Sequence, residues 1–178
     1  MAAPSQSPSS DEILQQDSTA APQFMSQVAA MDGQEFQQRL HQGIINLIHK
    51  WSRPDRRRCN AFVTAQYVCL DVAIPYANEI TYDGYVMLCA LVLLRRFLHI
   101  SKMTMTPETQ TNMYFTLLSI VQKQQVDIPY NTRTVAVFSG QTSAQIYIWE
   151  CLALQYLSFD VYVTDGEVEA MLRLVMAL

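Results

Sequence analysis

Glycine is scarce in this chain, with five in 178 residues. That is too few for the glycine-rich loops that cradle phosphates, and no GxGxxG, P-loop or GxSxG pattern occurs. Histidine is scarcer still. His41, His49 and His99 are scattered, form no HExxH spacing and never cluster with cysteine, so each reads as a helix-surface or interfacial residue and no metal is expected. The cysteines Cys59, Cys69, Cys89 and Cys151 include no CxxC pair. Three of them fall in apolar helical stretches, where a reduced thiol behaves as a small hydrophobe. With no titratable cluster to build a site, no catalysis, cofactor or small-molecule substrate is expected.

Charge is thin as well: 16% of the residues are charged, and the net charge is −4. A nucleic-acid binder normally carries a basic excess, and the one basic cluster here, Arg53 with Arg56, Arg57 and Arg58, reads as a solvated loop. The longest apolar run, residues 86–94, is far shorter than the roughly 20 residues of a membrane span. The N-terminus lacks a charged start followed by an apolar run, so no secretory signal is expected, and a reducing intracellular compartment, cytoplasm or nucleus, fits the cysteines. Strand signals are nearly missing. Residues 159–163 alternate apolar and polar, but a lone strand has no pairing partner, so they read as an extended linker.

What is present is helical periodicity in a chain that is 50% hydrophobic. Residues 1–33 are rich in Ser, Gln, Ala and Pro without a period, which predicts a disordered tail, with one domain over residues 34–178. Phe36, Leu40, Ile44, Ile45, Leu47, Ile48 and Trp51 form one apolar stripe at helical spacing, which should stop ahead of Pro54. A second helix is predicted over 60–73. A third, from about residue 81 or 83 to 99, is apolar on nearly every side and should be the buried central helix. Thr106-Pro107-Glu108 opens a helix that runs to about residue 125. A short helix follows over 132–138 and ends at Gly140. Thr142 with Gln145, and Thr164 with Glu167, are capping boxes that open two further helices, to about residues 157 and 176. The fold class expected is all-α: about five helices around a buried central helix, plus an N-terminal helix. Tyr114, Phe138, Tyr147 and Trp149 read as core residues, as do Leu118, Val121, Ile146 and Leu154.

Residues 123–163 carry the most informative pattern: K-QQVD-IPYN-TRTVAVFSG-QTSAQIYIWECLALQYLSFDVYV. This resembles the second half of a cyclin box, most closely that of the phosphate-regulation-type (P/U-type) cyclins. Laid on that pattern without a gap, Lys123 takes its lysine, Asp127 an aspartate, Tyr130-Asn131 the Tyr-Asn pair, Ala136 the alanine, Gly140 the last glycine and Glu150 the glutamate. Thr142 takes the serine, while Leu157, Phe159 and Val163 take the terminal hydrophobic positions. Upstream, residues 89–98 resemble the family's LALVYLDRLL helix. The departures are definite. The family's Leu-Asp-Arg becomes Leu94-Arg95-Arg96, its NVHR becomes Thr109-Gln110-Thr111-Asn112, its VGG becomes Phe138-Ser139-Gly140 and its ELN becomes Gln145-Ile146-Tyr147.

The resemblance implies a non-catalytic subunit that binds and activates a cyclin-dependent protein kinase. Lys123 and Glu150 would be the kinase-binding residues, holding the kinase's regulatory helix inward. The altered segments keep a second possibility open, a cyclin-fold adaptor that binds a protein without activating a kinase. From the residues alone, Lys123 and Glu150 could instead simply pair with each other or face water.

Overall fold

A computed structural model describes residues 32–52, 84–127 and 129–178. The chain divides into two compact units, Met1–Phe36 and Gln37–Leu178. Of the first, only residues 32–36 are described, with residues 33–36 helical. The helix predicted over 60–73, the Arg53–Arg58 cluster, Cys59 and Cys69 lie outside the described residues.

The described residues are all-α, with no strand. Six helices follow in order: α1 (Gly33–Trp51), α2 (Gly84–Ser101), α3 (Pro107–Gln125), α4 (Thr132–Ser139), α5 (Ser143–Tyr156) and α6 (Asp165–Met176). Their ends are written locally. The Thr106 hydroxyl accepts from the Thr109 amide to start α3. The Asn131 carboxamide accepts from the Thr134 amide to start α4, which ends at Gly140 in the left-handed region (φ 65°) that only glycine enters without cost. Thr142 with Gln145 and Thr164 with Glu167 form complete reciprocal boxes.

Helix α2 packs against α3, α5 and α6, and α3 packs against α4 and α5. Every residue of α2 from Val86 to Leu94 is buried, as is Phe97. The helix is long and apolar enough by composition to cross a membrane (mean hydropathy 1.5), yet 61% of it is buried inside the protein, where its apolar surface forms the core. Helix α3 is buried almost as deeply, which its sequence hides: Gln110, Thr116, Ser119 and Gln122 sit at core positions beside Met113, Tyr114, Leu117, Leu118 and Val121. Core hydroxyls need partners. Thr116 donates back to the Asn112 carbonyl at 2.9 Å, and the Tyr114 phenol donates to the Met87 carbonyl at 3.3 Å, tying α3 to α2. Phe97 meets Tyr156 edge-to-face, with ring centres 5.4 Å apart, and so joins α2 to α5.

Helix α5 buries only the stripe Ile146, Glu150 and Ala153, continued by Leu157 beyond its end. That corrects the reading of several side chains as core. Tyr147 is 66% exposed and Trp149 and Leu154 are only partly buried, because the neighbours of α5 cover one face of it and leave the other open; Phe138, near the end of α4, is also only partly buried. Tyr114, Leu118, Val121 and Ile146 are core as expected.

Helix α6 is clamped to α2. Tyr85 donates to Asp165 at 2.9 Å, and that hydrogen bond, with burial added, pushes the phenol up to about 12. Arg96 donates to the Tyr162 carbonyl at 2.7 Å and to Glu167 Oε1 at 2.5 Å, while Glu167 Oε2 closes the Thr164 capping box. Burial would push the Glu167 carboxyl up, but the hydrogen bonds from Arg96 and Thr164 outweigh it and hold the group below its ordinary 4.5. A depressed carboxyl stabilises the fold above its unfolded pKa and loses that contribution as pH falls through the folded one. Glu167→Gln should therefore lower the urea midpoint at pH 7, and the difference from wild type should shrink as pH falls below 4.5 and through the depressed folded value; a difference that stays constant into acid would contradict the clamp.

Gly43 marks where α1 meets α6. A glycine inside a helix is unfavourable by about 0.5–1 kcal/mol relative to alanine, but a Cβ at Gly43 would lie 2.3 Å from the Val175 carbonyl oxygen. A Cβ at Gly166 would meet nothing within 4 Å. Gly43→Ala should cost about 3 kcal/mol by overpacking, whereas Gly166→Ala should add up to about 1 kcal/mol. Denaturant unfolding of the two variants, run side by side, checks both signs.

Candidate functional site

Lys123 lies in the last turn of α3 and Glu150 in the middle of α5. Packing of α5 along α3 brings the two together although they are 27 residues apart in the chain: Lys123 Nζ donates to Glu150 Oε1 at 2.6 Å. The same carboxylate oxygen accepts from the Ser119 hydroxyl at 2.9 Å. The two side chains differ in exposure. Glu150 keeps 11% of its side chain in contact with solvent, and Lys123 keeps 39%. The carboxylate is thus a desolvated anchor, and the ammonium above it reaches the surface.

The simple pairing that the residues alone allowed is therefore present, but in a form that leaves the lysine partly open. A cation in the last turn of α3 also complements the helix dipole. Ser119 escaped the sequence reading. The available signal was its position four residues before Lys123, which puts both on one helix face, but a serine in a helix gives no sign that it is buried until the partner helix is in place.

Glu150 is the only charged residue of α5. The outward side of the helix carries Tyr147 and Ile148, both about two-thirds exposed, with Cys151, Leu152 and Leu154 partly buried. Tyr147 stands one turn before Glu150 and so flanks the ion pair. A solvent-facing helix normally carries charge on that side; this one presents an uncharged, largely apolar surface next to a half-exposed ammonium. Val137 of α4 is 74% exposed as well, and Phe159, just past the end of α5, is 71% exposed and held at φ 61°.

The other residues that match the family pattern shape the segment. Asn131 caps α4, Gly140 ends it, Thr142 caps α5, and Tyr130 packs against the small cluster of Val135, Ala136 and Ile146. Asp127 is exposed. Cys89 and Cys151 form no disulfide, and Cys89 Sγ accepts from Gln125 Nε2 at 3.7 Å. Among the described residues, no three His, Cys, Asp or Glu side chains come together as a metal site would require.

Comparison of the chain with protein-family models, with curated proteins and with solved structures returns no match.

A carboxylate with so little water around it depends on its cation. Lys123→Ala alone should destabilise the protein by about 2 kcal/mol, because it leaves Glu150 buried with only Ser119. Adding Glu150→Gln in that background should restore most of the loss, since a neutral amide needs no counter-charge. Equal stability of the single and double variants in urea would show that Glu150 does not rely on Lys123.

Proposed function

We propose that this is a non-catalytic, all-α binding subunit whose working surface is the outward side of α5 together with the Lys123–Glu150 pair. More specifically, we read it as a divergent cyclin: a regulatory subunit that binds and activates a cyclin-dependent protein kinase inside the cell. The observation that carries the reading is the ion pair itself. Two side chains singled out by the cyclin-like segment, far apart in sequence, meet at one spot, with the ammonium open and the carboxylate anchored.

The physical case is that of an interface centre. An apolar helix surface of Tyr147 and Ile148 gains from being covered. A cation held by Glu150, which Ser119 in turn anchors, loses little side-chain freedom on binding and can donate to a partner carbonyl or carboxylate as water leaves. In a kinase, the useful target is the regulatory helix, whose glutamate must be held inward to pair with the ATP-binding lysine before phosphoryl transfer.

A cyclin-fold adaptor that binds without activating is the second reading. Arg95, which stands where the family has an aspartate, favours it: the side chain is exposed and makes no ion pair with any described residue. Kinase activity separates the two, because an adaptor captures a partner without raising its phosphate transfer.

The test is co-purification of the tagged protein with a cyclin-dependent kinase, identified by mass spectrometry. Lys123→Ala combined with Glu150→Ala should abolish capture while helical circular dichroism is retained. The exchanged pair, Lys123→Glu with Glu150→Lys, should keep the internal contact but reverse its polarity, and so should also fail to bind. Undiminished capture by both variants would remove the proposed site.

A further inference from the structure

A second surface has the opposite character to the rest of the chain. The end of α2 and the turn after it form a cleft of about 390 Å³, with Arg95, His99 and Lys102 on one side and Trp51, Met103 and Met105 contributing apolar wall. That volume is within the range of small-ligand sites, roughly 300–1,000 Å³. The protein as a whole is acidic, at −4, yet no Asp or Glu is among the described residues lining this cleft. The side chains of Arg95, His99 and Lys102 make no hydrogen bond or ion pair with any described residue.

Arg95 and His99, spaced i, i+4, share one face of the last turns of α2, and Lys102 is the first residue after the helix ends at Ser101. The negative end of the α2 dipole favours basic side chains close to it, which accounts for His99 in the last turn and Lys102 just past it. It does not account for Arg95, which lies nearly two turns back, where the dipole effect has faded. Lys102 adds a further observation. Its φ is 53°, in the left-handed region where the residue after a helix is most often glycine. A lysine held there is strained, and strain kept at a cleft points to use of the side chain.

We infer that this cleft binds a small phosphorylated ligand with an aromatic body, of about the size of a mononucleotide. Arg95, His99 and Lys102 meet the phosphate, and Trp51 and the two methionines cover the ring. Arginine and lysine donate charge-assisted hydrogen bonds to phosphate oxygens, and an indole offers a flat apolar surface to a planar ring. The cleft shares no residue with the Lys123–Glu150 site, so the two assignments stand or fall separately.

The chain has two tryptophans, Trp51 and Trp149, so Trp149→Phe leaves Trp51 as the sole reporter in the cleft. Adenosine monophosphate should change its fluorescence saturably below 1 mM, and adenosine should bind at least about tenfold more weakly. Raising salt should weaken the nucleotide alone. Arg95→Gln should cost about tenfold in affinity. Lys102→Gly is the decisive variant: relief of the left-handed strain should raise Tm by about 2–4 °C, while the affinity falls about tenfold. A stabilised Lys102→Gly that binds as well as wild type overturns the role of the lysine and with it the inference. So does equal binding of adenosine and adenosine monophosphate, or no response to the nucleotide at all. Inorganic phosphate that binds as tightly as the nucleotide would reject the aromatic wall.

Discussion

Helix α2 is apolar around nearly its whole circumference, and most of what is described follows from the need to cover it. A helix with one apolar stripe can lie on a surface. A helix with Val86 to Leu94 buried without a break must be enclosed. Helices α3, α5 and α6 supply the cover, and the first two then lie against each other. Their mutual contact sets the distance between Lys123 and Glu150. The ion pair is thus a consequence of core packing, in which removal of apolar surface from water does the positioning at roughly 25 cal/mol per Å².

The polar side of the same packing is less usual. Helix α3 places hydroxyl and amide side chains at core positions, and one of them, Ser119, becomes a second donor to the Glu150 carboxylate. A lone carboxylate at that depth would be costly. With a hydroxyl and an ammonium on one oxygen it becomes a fixed acceptor, and its cation is held at the surface with little freedom left to lose. Fixed polarity beside an uncharged helix face is a surface suited to recognising another protein. The cationic cleft at the far end of α2 draws on the same helix differently: the last turns leave the core, and side chains that no longer need to be buried carry charge.

The helical framework was largely legible in the sequence. The capping boxes at Thr142 and Thr164, the Thr-Pro-Glu start of α3 and the glycine that ends α4 are local signals, decided by hydrogen bonds within four residues, and each sits where it was expected. Half of the site was legible too, because Lys123 and Glu150 belong to the segment with a recognisable pattern. Ser119 was not, and neither was the exposure of Tyr147. Both depend on which face of a helix meets its neighbour, and helix α5 is too uniformly apolar for its sequence to say which side is inside.

By itself, then, the amino-acid sequence determined the class of the fold, the ends of the helices and the enclosure of α2. These are properties of period, composition and short-range hydrogen bonding. Tertiary structure alone decided that a lysine and a glutamate 27 residues apart would share a serine's neighbourhood, that Tyr147 would face solvent, and that Trp51 would close a cleft against Arg95, His99 and Lys102. The reason is physical. Helical periodicity specifies which residues share a face, but the partner of that face is chosen by packing between segments distant in the chain, and no local pattern encodes it.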